Sequence, residues 1–135
     1  MNPVASFRLR IDSKSGVPFY RQVIDQVLTS IASGTLVPGD QLPTVRQLAV
    51  DLSINPNTVV RAYRELEIRG ILTTQQGSGT FIASGQEVRT DDLERQRRLS
   101  QLAGEFVARA GGEGFSVKEV FDCLTEMFPD TGKRS

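Results

Sequence analysis

Histidine is absent from the 135-residue chain, and cysteine occurs once, as Cys123. A single cysteine excludes an internal disulfide framework, and the ligand clusters of zinc sites need several histidines or cysteines. We therefore expect no metal and no cofactor, and we expect a reducing, cytoplasmic setting.

Long apolar runs and a targeting segment are also absent from the sequence. Residues 1–4 do not open a charged region followed by an apolar run, and no stretch approaches the roughly 18 apolar residues of a membrane-spanning helix. We expect neither secretion nor a membrane partner.

Groups that could carry out catalysis are scarce. An enzyme needs a nucleophile with its base, paired carboxylates in a pocket, or a metal cluster, whereas the acidic residues here are scattered over predicted helix surfaces. Gly77-Ser78-Gly79 is too short for a phosphate-binding loop and lacks the following lysine. Cys123 adjoins an apolar helical stripe, which favours a core or interface residue over a redox sensor. We expect no enzymatic activity.

The net charge is formally zero, which taken alone argues against nucleic acid as a partner. Residues 1–85 hold eight Lys or Arg and six Asp or Glu, a balance of +2, and the rest of the chain has a balance of −2. This small asymmetry permits a basic face in the first part of the chain without establishing one.

Two short helical patterns and a hairpin pattern follow one another from Thr44 onward, and the rest of the chain is organised around them. Thr44 can cap the first helix, with Gln47 completing a capping box. Asn55 and Pro56 are typical of the cap and the first position of the second helix. Two short helices with a tight connection match the helix-turn-helix plan, in which the second helix enters the DNA major groove.

The second helix, residues 56–69, carries an apolar stripe that must be buried. Burial of the stripe leaves Asn57, Thr58 and Arg61 at the exposed leading end. Amide and guanidinium groups there can form bidentate hydrogen bonds with adenine or guanine, while capping and solvation are the structural alternatives. The stripe consists of Val59, Ala62, Tyr63 and Leu66.

Arg64 lies one turn further along the same helix. A contact with a DNA phosphate and an ion pair with Glu65 or Glu67 are both open to it. Its distance from the leading end favours the phosphate over a base edge.

A hairpin, or wing, is predicted over residues 71–83, directly after Gly70 ends the helix. The glycines at its tip suit a tight turn. Their lack of side chains would also let backbone amides approach phosphates or the minor-groove edge, and neighbouring side chains add donors. The residues assigned to this contact are Gln76, Gly77, Ser78, Gly79 and Thr80.

The residues ahead of the motif predict a supporting scaffold. Alternation of apolar residues and arginines predicts a strand over residues 7–11. Pro18 and Gly34 bound a predicted helix whose broad apolar stripe, which includes Tyr20, packs across the two later helices. Gln41-Leu42 could add a third short strand to the wing.

A polar hinge is predicted over residues 84–90, where the character of the sequence changes. Thr90-Asp91-Asp92 offers a cap with acids in the first turn of a helix. The helical spacing continues until Gly111-Gly112 breaks the pattern, and Ser116 with Glu119 predicts a capping box for a last helix.

Residues 91–129 would thus form two amphipathic helices outside a complete small core. With no obvious internal partner, they are expected to pack against each other and against a second subunit, as a dimerisation element. The predicted interface consists of Leu99, Leu102, Phe106, Val120, Phe121, Leu124 and Phe128.

The motifs also resemble those of the GntR family of bacterial transcription regulators, in particular its small YtrA-like branch. The matching region is roughly residues 7–83, and its motifs occur in order at helix caps, turn and wing. They are Val17-Pro18, Gly34-x-Leu36-x-Pro38-Gly39-Asp40-x-Leu42-Pro43, Arg46-x-Leu48-Ala49, Ile54-Asn55-Pro56-Asn57-Thr58-Val59, Ala62-Tyr63-Arg64-x-Leu66-Glu67 and Gly77-x-Gly79-Thr80-Phe81.

The resemblance implies a mainly α fold with a small β wing: a winged helix-turn-helix domain at residues 7–83 followed by the two-helix element. It implies double-stranded DNA and a second copy of the chain as partners, and a repressor that acts on a palindromic operator. Arg46 matches a family arginine that contacts DNA, although by itself it would be a solvated surface charge. Residues 84–135 are too short for the metabolite-binding domain of larger relatives, which leaves a small-molecule effector open.

The alternative is a winged-helix module that binds proteins and not specific DNA, because this fold also serves as a docking platform. Arg46, Arg61 and the glycine-rich wing favour DNA. A titration with duplex DNA at two salt concentrations distinguishes the two functions.

Overall fold

Five α-helices and one two-stranded antiparallel sheet form the described part of the chain, residues 8–84 and 92–129 of the computed structural model. The chain divides into two units, residues 1–86 and 87–135. The fold class, mainly α with a small β wing, is the one predicted from the sequence. The elements are α1 (Phe19–Ala32), α2 (Val45–Leu52), α3 (Pro56–Ile68), β1 (Leu72–Gln75), β2 (Gly79–Ile82), α4 (Asp92–Gly112) and α5 (Val117–Met127).

The core of the first unit lies between its three helices and the base of the sheet. The predicted apolar stripe of α3 is buried as a whole, with α1 and α2 packed against that helix. This packing turns the opposite, polar face of α3 to solvent. The buried members of the core are Val23, Ile24, Val27, Leu36, Leu42, Leu48, Ala49, Val59, Ala62, Tyr63, Leu66, Leu72 and Ile82.

The caps of the two short helices confirm most of the local prediction. The Thr44 hydroxyl oxygen accepts from the Gln47 amide at 3.0 Å, and the Asn55 Oδ1 accepts from the Asn57 amide at 2.8 Å. The Gln47 side chain makes no reciprocal bond to the cap within the described residues, so the first capping box is only half formed. Ser53 ends α2 in a left-handed conformation with φ of 56°, which lets the chain turn tightly into α3.

The strand predicted over residues 7–11 is wrong for the residues that the structure describes. Phe7 lies outside them, and residues 8–12 belong to no strand. Two glutamine side chains of α1 take the place of a strand partner. Gln26 accepts from the Arg10 amide at 2.9 Å and donates to its carbonyl at 2.5 Å.

Gln22, one turn earlier on α1, repeats this arrangement with the backbone of Asp12. Its side chain accepts from the Asp12 amide at 2.8 Å and donates to the Asp12 and Val17 carbonyls, each at 2.9 Å. Side-chain amides present the same donor and acceptor groups as a backbone. The alternating pattern therefore marks an apolar edge, Leu9 and Ile11, that packs on the core without joining a sheet.

The wing pairs in the register Leu72 with Ile82 through Gln75 with Gly79, close to the predicted strands. The segment before α2 adds one bridge, Gln41 to Phe81, which realises the predicted third strand at a single position. Gly70 follows α3 with φ of 78°, as expected of a residue that ends a helix.

The second unit contains α4 and α5. The capping box of Ser116 and Glu119 is present in both of its hydrogen bonds. The predicted break at Gly111-Gly112 is misplaced, because both glycines belong to the last turn of α4, and Gly114, with φ of 93°, follows it. The predicted hinge residues 85–90 and the cap residues Thr90 and Asp91 lie outside the described residues.

Two properties of the described residues bear on partners. None of the helices combines the length and the apolar content that crossing a membrane requires. Cys123 is exposed, with its Sγ atom 3.8 Å from the Met127 Sδ atom. It is therefore not a core residue of its unit.

Candidate nucleic-acid interface

The outward face of α3 carries three of the predicted DNA contacts. Asn57, Arg61 and Arg64 are exposed and follow one another at spacings of four and three residues, which places them on one side of the helix. That side lies opposite the buried stripe. Thr58 is half-buried and stands off the centre of this face, while Ile68 continues it at the far end with 77% of its surface exposed.

At the leading end of α3, some polar groups take part in the helix cap and others face solvent. The Asn55 side chain is used by the helix cap. The Asn57 side chain takes part in no hydrogen bond within the described residues, so its donors and acceptor are open to an external group. Asn57 therefore has the chemistry for a bidentate contact with adenine, and Asn55 has a structural role.

Arg61 does not extend freely into solvent. Its Cζ atom lies 3.7 Å from the centroid of the Tyr20 ring on α1, in the geometry of a cation–π contact. The two side chains border a hollow of about 440 Å³ whose lining includes Phe19, Asn57 and Thr58. The sequence assigned Tyr20 only to the apolar stripe of α1, because periodicity within one helix does not reveal a contact between two helices.

Arg64 is exposed, and neither of its predicted acidic partners is paired with it. The Glu65 carboxylate is 3.6 Å from the guanidinium of Arg69, and the Glu67 carboxylate accepts a hydrogen bond from the Thr74 hydroxyl. The second bond joins the end of α3 to β1. Arg64 is left available for another anion.

Arg46 occupies the second position of α2 and is exposed. The described ion pairs join other residues, so its charge is solvated in the free protein. The DNA contact assigned to it stays a prediction.

The five residues assigned to the tip of the wing fall into two groups that differ in exposure. Gln76, Gly77 and Ser78 form the exposed turn, closed by a bond of 2.9 Å from the Ser78 amide to the Gln75 carbonyl. Gly79 and Thr80 are half-buried at the start of β2. The turn, with Gly77 at φ of 82°, is therefore the exposed part of the five assigned residues.

Gln41 is a functional candidate that the sequence did not single out. Its Nε2 atom donates to the Ser78 carbonyl at 3.0 Å and fastens the tip of the wing. A Cβ atom added to Gly79, whose φ is 125°, would lie 2.6 Å from the same Nε2 atom. Gly79 thus has a structural explanation, since a side chain there would displace the bond that holds the turn.

Tyr63 joins α3 to the segment that leads into α2. Its hydroxyl donates to the Pro43 carbonyl at 2.8 Å, just before α2 begins. Burial raises the pKa of this hydroxyl well above its ordinary value. The bond couples the position of α3 to the start of α2, where Arg46 lies.

The model of the bacterial regulatory proteins of the gntR family matches residues 19–82, from α1 to the end of β2. The chain is 38% identical to the uncharacterized HTH-type transcriptional regulator YhcF of Bacillus subtilis, over 81% of this chain and 88% of YhcF. It is 33% identical to the HTH-type transcriptional repressor YtrA of the same organism, over 94% of this chain and 98% of YtrA. The chain belongs to the GntR family.

Two solved structures extend this similarity to three dimensions. YtrA from Sulfolobus acidocaldarius, a GntR-family transcription factor, is 35% identical with a TM-score of 0.53, over 69% of this chain and 95% of its own. AraR(DBD) in complex with operator ORX1 is 27% identical with a TM-score of 0.51, over 55% of this chain and 94% of its own. The GntR family and the YtrA-like branch predicted from the motifs are confirmed, and the relatives are transcriptional regulators and not enzymes.

Proposed function

We propose that this GntR-family chain is a sequence-specific DNA-binding regulator that represses transcription by binding a palindromic operator as a homodimer. The observation that carries the proposal is the polar face of α3, which presents Asn57, Arg61 and Arg64 to solvent opposite a fully buried stripe. A helix of this kind fits the major groove with its leading end against base edges. Similarity to the repressor YtrA of Bacillus subtilis supports the direction of regulation.

The side chains divide by the chemistry of their targets. Asn57 and Arg61, with Thr58 beside them, are assigned to base edges because bidentate donors and acceptors read sequence. Arg46 and Arg64 are assigned to phosphates, where a single positive charge is sufficient. The amides of the wing turn, Gln76 to Ser78, are assigned to the backbone or minor groove beside the half-site, with Gly79 and Thr80 shaping that turn.

The second unit supports the dimer. No residue of α4 or α5 is buried within the described residues, although each helix carries an apolar face. The exposed members include Leu99, Leu102, Phe106, Phe121 and Leu124, and Val120 and Phe128 are half-buried beside them. A surface of this kind on a soluble chain marks an interaction site. A second copy of the two helices, related by a two-fold axis, would cover it and would match a palindromic site.

Selection of bound duplexes from a random DNA pool tests the proposal in one step. We expect recovered sequences with two inverted half-sites about one helical turn apart. Recovery of single, unpaired half-sites would contradict the dimer. No enrichment over the starting pool, or binding that does not depend on salt, would favour the protein-docking module instead.

The assignment of base and phosphate contacts has its own matched pair of variants. Arg61→Ala should lower affinity for the selected duplex more than for a scrambled duplex of the same composition, since a base contact carries about 1–3 kcal/mol of discrimination. Arg46→Ala should weaken both duplexes equally and reduce the slope of log affinity against log salt by about one. The reverse result would exchange the two roles.

A further inference from the structure

Tyr20 belongs to α1, outside the helix-turn-helix pair, yet its ring supports the guanidinium of Arg61 on α3. The Cζ atom of Arg61 is 3.7 Å from the ring centroid, well within the roughly 6 Å at which an aromatic face attracts a cation. The ion pairs of the described residues involve other side chains. The ring is thus the contact that orients Arg61 in the free protein.

The support under Arg61 is fixed by the core. Tyr20 is half-buried and is followed on α1 by Gln22, Val23 and Ile24, all of which are buried. Gln22 ties the preceding loop to this first part of the helix through its bonds to the Asp12 and Val17 backbones. The ring itself packs against the hydrophobic core, so the core limits its movement beneath the arginine.

Stacking leaves the recognition chemistry of the guanidinium intact. The contact with the ring uses none of the N–H donors of Arg61 in a hydrogen bond within the described residues, and a guanidinium carries five such donors in its own plane. Those donors remain free for a bidentate contact with a guanine edge. Because the side chain is held in place before DNA arrives, less rotamer freedom is lost on binding than for a mobile arginine.

The other exposed arginines of the candidate interface provide an internal comparison. Arg46 and Arg64 have no aromatic ring beneath them within the described residues, and Arg61 does. The hollow beside the stacked pair is lined by Asn57 and Thr58, the other two residues assigned to base edges. The Tyr20 ring therefore supports an arginine that is assigned to a base edge, and not one that is assigned to a phosphate.

We propose that Tyr20 is a positioning residue for sequence recognition: its ring preorganises Arg61 for a base contact, and its hydroxyl is not needed for this role. The inference rests on the proposed DNA-binding function of α3. It adds α1 to the elements that determine specificity, although α1 supplies no base contact of its own.

The test uses the full chain, the duplex selected from the random pool, and a scrambled duplex of the same composition. Tyr20→Leu removes the aromatic face, and Tyr20→Phe removes only the hydroxyl. Each is measured alone, with Arg61→Ala, and with Arg64→Ala as the matched control background. Thermal unfolding verifies that each variant is folded, and Tyr20→Met replaces Tyr20→Leu if the latter is not.

Tyr20→Leu should reduce the ratio of the two affinities about two- to fivefold, the size expected of an exposed cation–π contact. Tyr20→Phe should leave the ratio unchanged. In the Arg61→Ala background Tyr20→Leu should have no further effect on the ratio, and in the Arg64→Ala background its effect should persist. The salt slope should not change, because no phosphate contact is lost.

Three results would overturn the inference. An equal loss on both duplexes would make Tyr20 a backbone contact. The same fall in the ratio after Arg61→Ala would make it an independent base contact. A loss with Tyr20→Phe would assign the effect to the hydroxyl.

A readout without DNA separates this inference from the proposed function. In the NMR spectrum of the free protein, the side-chain protons of Arg61 should be shifted upfield by the Tyr20 ring, and the shift should vanish in Tyr20→Leu but not in Tyr20→Phe. A missing shift in the wild type would refute the contact of Tyr20 with Arg61 whatever the DNA results. A wild type that shows the shift but does not discriminate between the duplexes would refute the DNA-binding proposal, and the inference with it.

Discussion

The two units of the chain differ in how far their apolar residues are buried. In the first unit thirteen hydrophobic residues lie in one buried core, with exposures of 4% or less. In the second unit α4 and α5 bury no described residue, and Phe121 keeps 69% of its surface exposed. A core of the first kind can stabilise a fold within one chain, whereas an exposed apolar surface of the second kind is typical of an interaction site. The difference supports the proposal that the first unit recognises DNA and the second forms the dimer.

A pair of leucine substitutions offers the strongest test of this comparison. Leu66→Ala in α3 removes a fully buried side chain, and we expect a loss of about 2–5 kcal/mol in the free energy of unfolding. Leu124→Ala in α5 removes a side chain that is 47% exposed, so its effect should be small in dilute protein. Urea unfolding at several protein concentrations measures both. The cost of Leu66→Ala should not depend on concentration, and the cost of Leu124→Ala should grow with it.

The assembly role of the second unit is tested by a charge on its exposed face. Phe121→Asp should weaken the dimer about 30-fold or more, the effect of losing a central interface residue. The first unit should remain folded, since its core contains no residue of α5. Sedimentation of the variant and of a chain truncated after Ala83 gives the measurement. A truncated chain that stays dimeric would place the interface in the first unit and reverse the comparison.

A third prediction concerns the wing, where Gly79 leaves room for the hydrogen bond that holds the turn. Gly79→Val should cost about 1–2 kcal/mol from the left-handed backbone alone and should also displace Gln41, whose Nε2 atom would lie 2.6 Å from the new Cβ. We expect weaker DNA binding with an unchanged helical circular dichroism signal. Gly70→Val is the matched control, because its φ of 78° imposes strain while nothing lies within 4 Å of an added Cβ, and Gly70 is not among the residues assigned to DNA. Equal losses of DNA binding in the two variants would show that displacement of Gln41 does not contribute to the effect.

The smallest expected effect concerns the buried hydroxyl of Tyr63. Burial raises the pKa of Tyr63 in the folded state, while in the unfolded chain it is near its ordinary value of about 10. The unfolded state therefore loses its proton first as the pH rises. The contribution of the protonated Tyr63 hydroxyl to the free energy of unfolding is complete below about pH 10 and declines above it, by at most about 1.4 kcal/mol per pH unit.

Tyr63→Phe isolates that contribution. It should cost about 1 kcal/mol at neutral pH, because the bond to the Pro43 carbonyl is lost, and it should flatten the decline above pH 10. Urea unfolding at pH 8 and pH 11 gives the comparison. A variant as sensitive to alkali as the wild type would assign the decline to other groups.

Much of the first unit could be predicted because its signals are short-range. A cap such as Thr44 or Asn55 acts on amides two or three residues away, and the stripe of α3 repeats with the period of the helix. The capping box of Ser116 in the second unit was predictable for the same reason. The strand over residues 7–11 failed because alternation indicates one apolar edge but does not say what pairs with the backbone.

The sequence by itself determined the order of helices, turn and wing, and with it the face of α3 that is exposed to solvent. Only the tertiary structure decided which side chains orient that face. Tyr20 and Arg61 are 41 positions apart, and Gln41 reaches Ser78 across 37. Such contacts depend on the distance and angle at which α1 packs on α3 and the wing closes. Those angles are set by the whole core, and no local pattern contains them.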